Sequence, residues 1–539
     1  MKKMKFACLF AALMLMCASV LASCTGGGPG NTASADNILK MPFSEDPDTL
    51  DPQKTTEYYM VPLNIFDRLV EAETVAGKPE IVLGLAESYE VSEDGLVYTF
   101  KLRDGVKFHN GETLTSDDVV YTVNRMMRPE NETLNTDFFD MVKGALAVYE
   151  GEADEVEGVI ALDSLTVQFT LEYPFGAFLA NLATPAGSIF NRKQCEAAGN
   201  DFGIEPSQTV GTGPFQVTDW QLNNKLSLTA FKDYWRGAAS IDGVEFIVLP
   251  DHETQRMSFE NGELDVFDAF YAPSQLPYFL ESSKWKGNIV SGLEAGLYFY
   301  LFNVEAEPYN IPGVREAIAY AIDRQLILDT LFNGEGKVVD CIVVEGVLGH
   351  NPGFPKMEYN PQKAKELLAE AGFPDGLACE IIITNDASSS ERDMNVAIQG
   401  MLKEVGIDLS IRAVDMATYY DMREKGQTPL ERMAWWVDYN DPDNFLYTFF
   451  SEKKSAHYSV NYFDPEVISL LEAARREVDN DARLKMYQDA EEIIVARDHV
   501  AIPMFQVTHT FVLSDRVKNF KVSWNGWSDM PLYEISIQN

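Results

Sequence analysis

The sequence predicts a mixed α/β protein, and three patterns carry that expectation. Between residues 360 and 413 helix and strand signals alternate, the βαβ order that builds a parallel sheet covered by helices. In the first third, short alternating segments bounded by turn residues predict hairpins. Beyond Cys24 no run of about 18 apolar residues occurs, so the body of the chain is expected to be soluble. With 539 residues and 12% aromatics, it is long enough for two or three domains, each with its own core.

Lys2, Lys3 and Lys5 form a basic start, and residues 6–22 are almost unbroken apolar sequence. Small residues precede Cys24 in Leu21-Ala22-Ser23-Cys24, as a peptidase requires. The tetrapeptide resembles the lipobox of bacterial lipoprotein precursors. That resemblance implies a signal peptide over 1–23 and lipidation of Cys24 as the mature N-terminus. The alternative is an uncleaved anchor helix, and either way the rest of the chain works outside the cytoplasm at a membrane. Residues 24–36, rich in Gly, Ser, Thr, Pro and Asn, read as a flexible tether.

A formal net charge of -40, spread along the chain, excludes a nucleic-acid partner, because phosphate binding needs a basic face. It favours solubility and repulsion between copies, so a monomer is expected; attraction of cationic ligands is the sharper reading. Of six cysteines, Cys195, Cys341 and Cys379 follow Cys24, so at most one internal disulfide can form. No CxxC is present, and the six histidines are scattered, so no metal site and no cofactor is expected.

Leu96, Tyr98, Phe100 and Leu102 alternate with Val97, Thr99 and Lys101 as a half-buried strand between turn signals. Thr115, with Asp117 and Asp118 in the first turn, opens a helix through Val119, Val123 and Met127. Gly211 and Gly213 with Pro214 fit a tight, φ-restricted loop before a strand, either a hinge or an ordinary turn. Asn360-Pro361 caps a helix whose Ala364, Leu367, Leu368 and Ala371 share a face before Gly372. A strand at 380–384, a helix at 392–405 and a strand at 408–413 follow. Val517, Phe520 and Val522 read as strand residues of a returning chain at 512–522.

Five segments, in order, resemble one family, the large extracytoplasmic solute-binding proteins of peptide-type ABC transporters (family 5). They are Leu85-Ala86-Glu87-Ser88-Tyr89 running on to Phe108-His109-Asn110-Gly111; Gly211-Thr212-Gly213-Pro214-Phe215 with Tyr234-Trp235; Val314-Arg315-Glu316-Ala317-Ile318 with Ala321-Ile322-Asp323-Arg324; residues 360–376; and Trp435-Trp436-Val437-Asp438-Tyr439-Asn440-Asp441-Pro442. The resemblance implies a two-lobed periplasmic-binding-protein-like fold, the large three-domain variant of class II, with a hinge and an interlobe ligand cleft. It implies one discontinuous lobe from 37–60, 208–302 and 503–539, a subdomain over 61–207 inserted into it, and a second lobe over 303–502. Arg315 reads as a structural ion-pair residue rather than a ligand contact.

A bound peptide presents an ammonium, a carboxylate and backbone amides. The first needs a fixed counter-charge and the last need strand-like pairing. On a strand, Arg432, Ala434, Trp436 and Asp438 share a face. The resemblance implies that Asp438 holds the peptide's ammonium, that Arg432 can meet its carboxylate, and that the backbone before Asp438 pairs with it. Trp435 and Trp436 divide between core and cleft, and Tyr439 adjoins them. Glu57, Tyr58 and Tyr59 are the expected contacts from the other lobe. The bland alternatives are a turn residue for Asp438, a salt bridge for Arg432 and plain surface for residues 57–59.

The chain lacks HExxH, GxSxG and Walker A patterns, so no enzyme is expected. The favoured reading is a lipoprotein that captures a di- or oligopeptide and delivers it to the permease subunits of an ABC importer. The alternatives are the same fold binding an oligosaccharide, an opine or a chelated metal, or a secreted hydrolase.

Overall fold

The structure is a computed structural model that describes residues 37–75, 78–525 and 530–538. The expected signal peptide, Cys24 and the tether lie outside these residues.

The local sequence signals become elements with small shifts. Thr115 caps the helix Ser116–Met127 through a capping box with Asp118, an arrangement worth about 1 kcal/mol. Its Val119, Val123 and Met127 are buried. In the strand Val97–Leu102 the residues Tyr98, Phe100 and Leu102 point into the core. Asn360 caps Pro361–Glu370 by accepting from the Lys363 amide. Ala364 and Leu368 are buried there, and Gly372 follows with φ +95°. Ser388 starts the next helix, Ser389–Glu404, a turn earlier than residue 392, because its hydroxyl accepts from the Glu391 amide.

Leu377–Thr384 and Ile407–Val414 pair in parallel around that helix, but only with each other. The larger sheets are mostly or wholly antiparallel. One orders Ile38–Phe43, Gly243–Val248, Lys225–Ala230 and Phe215–Gln221, with only its first pair parallel. A second is built from the hairpins of residues 86–102 and 159–170. A third orders Val266–Asp268, Ala501–Leu513, Ile289–Phe302 and Leu430–Trp436, with Gly336–Val338 added beside Ala501–Leu513. This third sheet matters most for function, because Leu430–Trp436 lies at its edge.

Three sequence expectations need correction. The returning chain forms its strand at Ala501–Leu513; of the three residues named, only Val517 lies in a strand, Val517–Lys518, while Phe520 and Val522 lie in a loop. Phe520 still packs edge-on to Phe511, so its hydrophobicity reflects burial rather than strand position. Gly211 and Gly213 are required by contact rather than by φ. A Cβ on either would come within 2.1 or 2.6 Å of Ile65 backbone atoms, and this loop does not line the main cavity. Arg315 binds the carbonyl oxygens of Tyr309 and Asp498, not a carboxylate. Cys195, Cys341 and Cys379 are free and buried.

Candidate functional site

A cavity of about 880 Å³ opens between the two sides of the molecule. Glu57, Tyr58 and Tyr59 line it from one side, and Arg432, Ala434, Trp436, Asp438 and Tyr439 from the other. Sequence-distant groups thus converge on one cavity because an edge strand and its exit turn face the segment around residue 58.

Trp435 does not join them. Strand alternation turns it to the opposite face, where its indole donates to Asn444 Oδ1 at 2.9 Å and packs edge-on to Phe449. Trp436 faces the cavity, opposite Gly296 in the neighbouring strand. A Cβ at residue 296 would come 2.4 Å from Trp436 Nε1, so only glycine allows the indole to lie there. Tyr439 crosses the cleft: its ring stands edge-on to Phe138 at 5.6 Å, and its hydroxyl donates to Asp443.

Asp438 sits just past the strand end, recessed in the cavity wall. Asn444 holds it twice, accepting from the Asp438 amide at 3.0 Å and donating to its Oδ2 at 3.0 Å. Among the described residues no cation pairs with it. Loss of hydration in the recess pushes its carboxyl up to about 6, against the lowering pull of the Asn444 hydrogen bond. Asn444 was invisible as a site residue, although its place in the first turn of Asp443–Phe450 follows from Pro442.

Arg432 is partly occupied already. It pairs with Glu391 at 3.3 Å and lies over the Tyr298 ring at 4.8 Å, while still lining the cavity. Glu57 is exposed at the cavity edge; the Tyr58 hydroxyl donates to Glu45, and the Tyr59 hydroxyl donates to the Thr55 carbonyl.

The cavity floor carries no local sequence signal. Three residues, 294–296, stand opposite Val507 alone between Ile289–Phe302 and Ala501–Leu513. Such a bulge re-aims side chains. Here Glu294 accepts from Trp436 Nε1 at 2.5 Å and meets His509 Nδ1 at 2.7 Å. The other His509 nitrogen meets Asp268 at 2.9 Å. Burial alone would favour a neutral imidazole, but the two carboxylates push His509 up to about 10, so it is a fixed imidazolium at neutral pH. The rings of Phe270 and Phe511 stack on its two sides at 4.6 and 4.4 Å.

Nothing in this arrangement pairs a nucleophile with a free base. Among the described residues, no cluster of three or more His, Cys, Asp or Glu could hold a metal. The cavity can enclose a solute and present fixed charges and aromatic faces to it.

Comparison with known proteins gives the family. Residues 80–457 match the family described as "Bacterial extracellular solute-binding proteins, family 5 Middle". The chain belongs to that family. It is an extracytoplasmic solute-binding protein of the ABC-transporter type, and its family is non-catalytic. The dipeptide-binding protein of Escherichia coli (strain K12) is 28% identical over 88% of this chain and 90% of its own length. Heme-binding protein A of Haemophilus influenzae is 27% identical over 89% and 88%. The solved structure of DppA from Helicobacter pylori in complex with peptide STSA superposes with a TM-score of 0.76 at 26% identity, covering 93% of this chain and 98% of that one. The α/β, two-lobed binding-protein fold is therefore that of the family.

Proposed function

We propose that this solute-binding protein captures a peptide by its free amine and delivers it to the permease subunits of an ABC importer. The observation that carries the reading is Asp438: a recessed carboxylate, oriented by Asn444, lining the cavity with no cation paired to it among the described residues. A desolvated carboxylate is stabilised by an opposite charge, and a peptide ammonium supplies one. Arg432, though shared with Glu391, is available for the carboxylate end, and Trp436, Ala434 and Tyr439 form the wall between. Glu57, Tyr58 and Tyr59 close the cavity from the other lobe. The relatives and structures named above include a dipeptide binder and a peptide complex, which supports the same reading. A porphyrin is the competing solute, since a relative of almost equal identity is a heme-binding protein and the cavity is rich in aromatic rings.

The lobes are assigned as 37–60, 208–302 and 503–539 against 303–502, with 61–207 inserted, and ligand is held by a shift from open to closed forms. Denaturing the purified protein and analysing the released solute by mass spectrometry should yield intact peptides. Recovery of porphyrin or sugar alone would reject the peptide reading, and recovery of cleaved peptide at turnover would reject a pure binding role.

Lipidation of Cys24 would hold the protein at the membrane surface beside the permease. A Cys24→Ser variant is expected in the soluble fraction or as uncleaved precursor. Wild-type membrane fractionation and maturation of that variant would refute the anchor.

A further inference from the structure

We infer that the solute is cationic beyond its terminal amine: the cavity is built to favour a ligand carrying basic side chains. The inference rests on the proposed peptide reading and concerns the rest of the same cavity.

Five carboxylates line the cavity, namely Glu45, Glu57, Asp268, Glu294 and Asp438, against the cationic or titratable Arg432 and His252. Each positive charge near them is already shared with a carboxylate. Arg432 is paired with Glu391, which does not line the cavity. The His509 imidazolium is fully enclosed behind the floor and shared between Glu294 and Asp268, leaving that trio one negative charge in excess. No ion pair holds Glu45 or Glu57 among the described residues. A ligand of neutral or negative charge would enter a field that no counter-charge offsets. A cationic one supplies what the walls lack.

Aromatic faces add a second, independent attraction for cations. Tyr271 lies beside Asp268, and its ring stands edge-on to His509 at 6.2 Å and to Phe270 at 5.1 Å. Yet 47% of it is exposed, while the other rings lining the cavity are buried or half-buried. Tyr58, next to Glu57, lines the same cavity with its hydroxyl on Glu45. A tyrosine ring beside a carboxylate is suited to a lysine ammonium or an arginine guanidinium, which gains from the ring face and the charge together. The cavity contains two such pairs, Tyr271 with Asp268 and Tyr58 with Glu45 and Glu57. With Asp438 assigned to the terminal amine, these pairs are the places the cavity offers to a basic side chain.

Calorimetry with three tripeptides tests this. Ala-Lys-Lys, Ala-Ala-Ala and Ala-Glu-Glu share a free amine and a length; the two charged peptides both carry long side chains and differ from each other in the sign of their charge. Ala-Lys-Lys should bind at least about tenfold tighter than Ala-Ala-Ala, and Ala-Glu-Glu at least about tenfold weaker, with both gaps narrowing in high salt. In Glu45→Gln/Glu57→Gln, whose changed residues are exposed and leave the core intact, the Lys-to-Ala ratio should fall several-fold. Asp268→Asn should lower it further. Equal affinities for the three peptides, or a ratio unmoved by the Glu45→Gln/Glu57→Gln variant, would overturn the inference and leave the peptide reading standing. Failure of all three to bind at millimolar concentration would overturn both.

Discussion

Replacing Asp438 by Asn should weaken binding of a free-amine peptide by about thirty- to several-thousand-fold, the equivalent of roughly 2–5 kcal/mol for removing one partner of a buried charge pair. The amide is close to isosteric, so the Asn444 contacts and the exit turn should survive, and unfolding temperature should change little. Comparing a peptide with its N-acetylated form isolates the amine. Acetylation should weaken wild-type binding strongly and the variant hardly at all; equal losses in both proteins would mean that Asp438 does not hold the amine. The same site sets a pH dependence. In the free protein the carboxyl is pushed up to about 6, so below that pH it is increasingly neutral, whereas an ammonium binds its ionised form. Binding therefore releases a proton, and affinity should fall as pH drops through 6, by up to about tenfold per unit. The Asp438→Asn variant should lack this slope. A wild-type affinity flat between pH 7 and 5 would contradict the assignment.

The second large effect is expected on stability. Just beyond Asp438 the chain is pinned by Asp441, whose two oxygens take both terminal nitrogens of Arg483 at 3.0 and 2.8 Å. Both side chains are almost fully buried, and Asn480 accepts from the same guanidinium at 3.0 Å. Gly176 packs over it, where a Cβ would come 2.7 Å from Arg483 Nε. Arg483→Met leaves Asp441 buried without its counter-charge, which should cost about 3–5 kcal/mol. The double variant Asp441→Leu/Arg483→Met should lose less than Arg483→Met alone, since it leaves no unpaired charge. Thermal or denaturant unfolding gives the comparison. A single variant as stable as wild type, or a double variant that loses the sum of both single losses, would show that the pair is not coupled in this way. Because the turn from residue 438 to 444 carries Asn444, the Arg483 variant should also bind peptide more weakly.

Much of the fold was legible because its signals are local. Thr115 and Asn360 cap helices by contacts within three residues, and the alternation at Tyr98, Phe100 and Leu102 reports burial directly; the cap at Ser388, equally local, was passed over. The candidate site was half legible. Alternation put Trp435 and Trp436 on opposite faces but could not say which face was core, because that depends on Phe449 and Asn444 on one side and Gly296 on the other. Phe520 and Val522 looked like strand because hydrophobicity marks burial, and a buried loop satisfies it equally well.

The sequence by itself determined the α/β class and, through five segments that resemble family 5 solute-binding proteins, the family; it also singled out Arg432, Trp436 and Asp438, with no nucleophile motif beside them. The fold class is read from neighbours along the chain, where periodicity and capping act, and the family from the resemblance of those segments. The tertiary structure alone decided that Asp438 has no paired cation among the described residues, that Arg432 is shared with Glu391, and that His509 is clamped between Asp268 and Glu294. The His509 contacts span 241 and 215 residues of sequence. Charge balance in a cavity is set by whatever the fold brings within a few ångströms, and no local pattern records which distant carboxylate will arrive there.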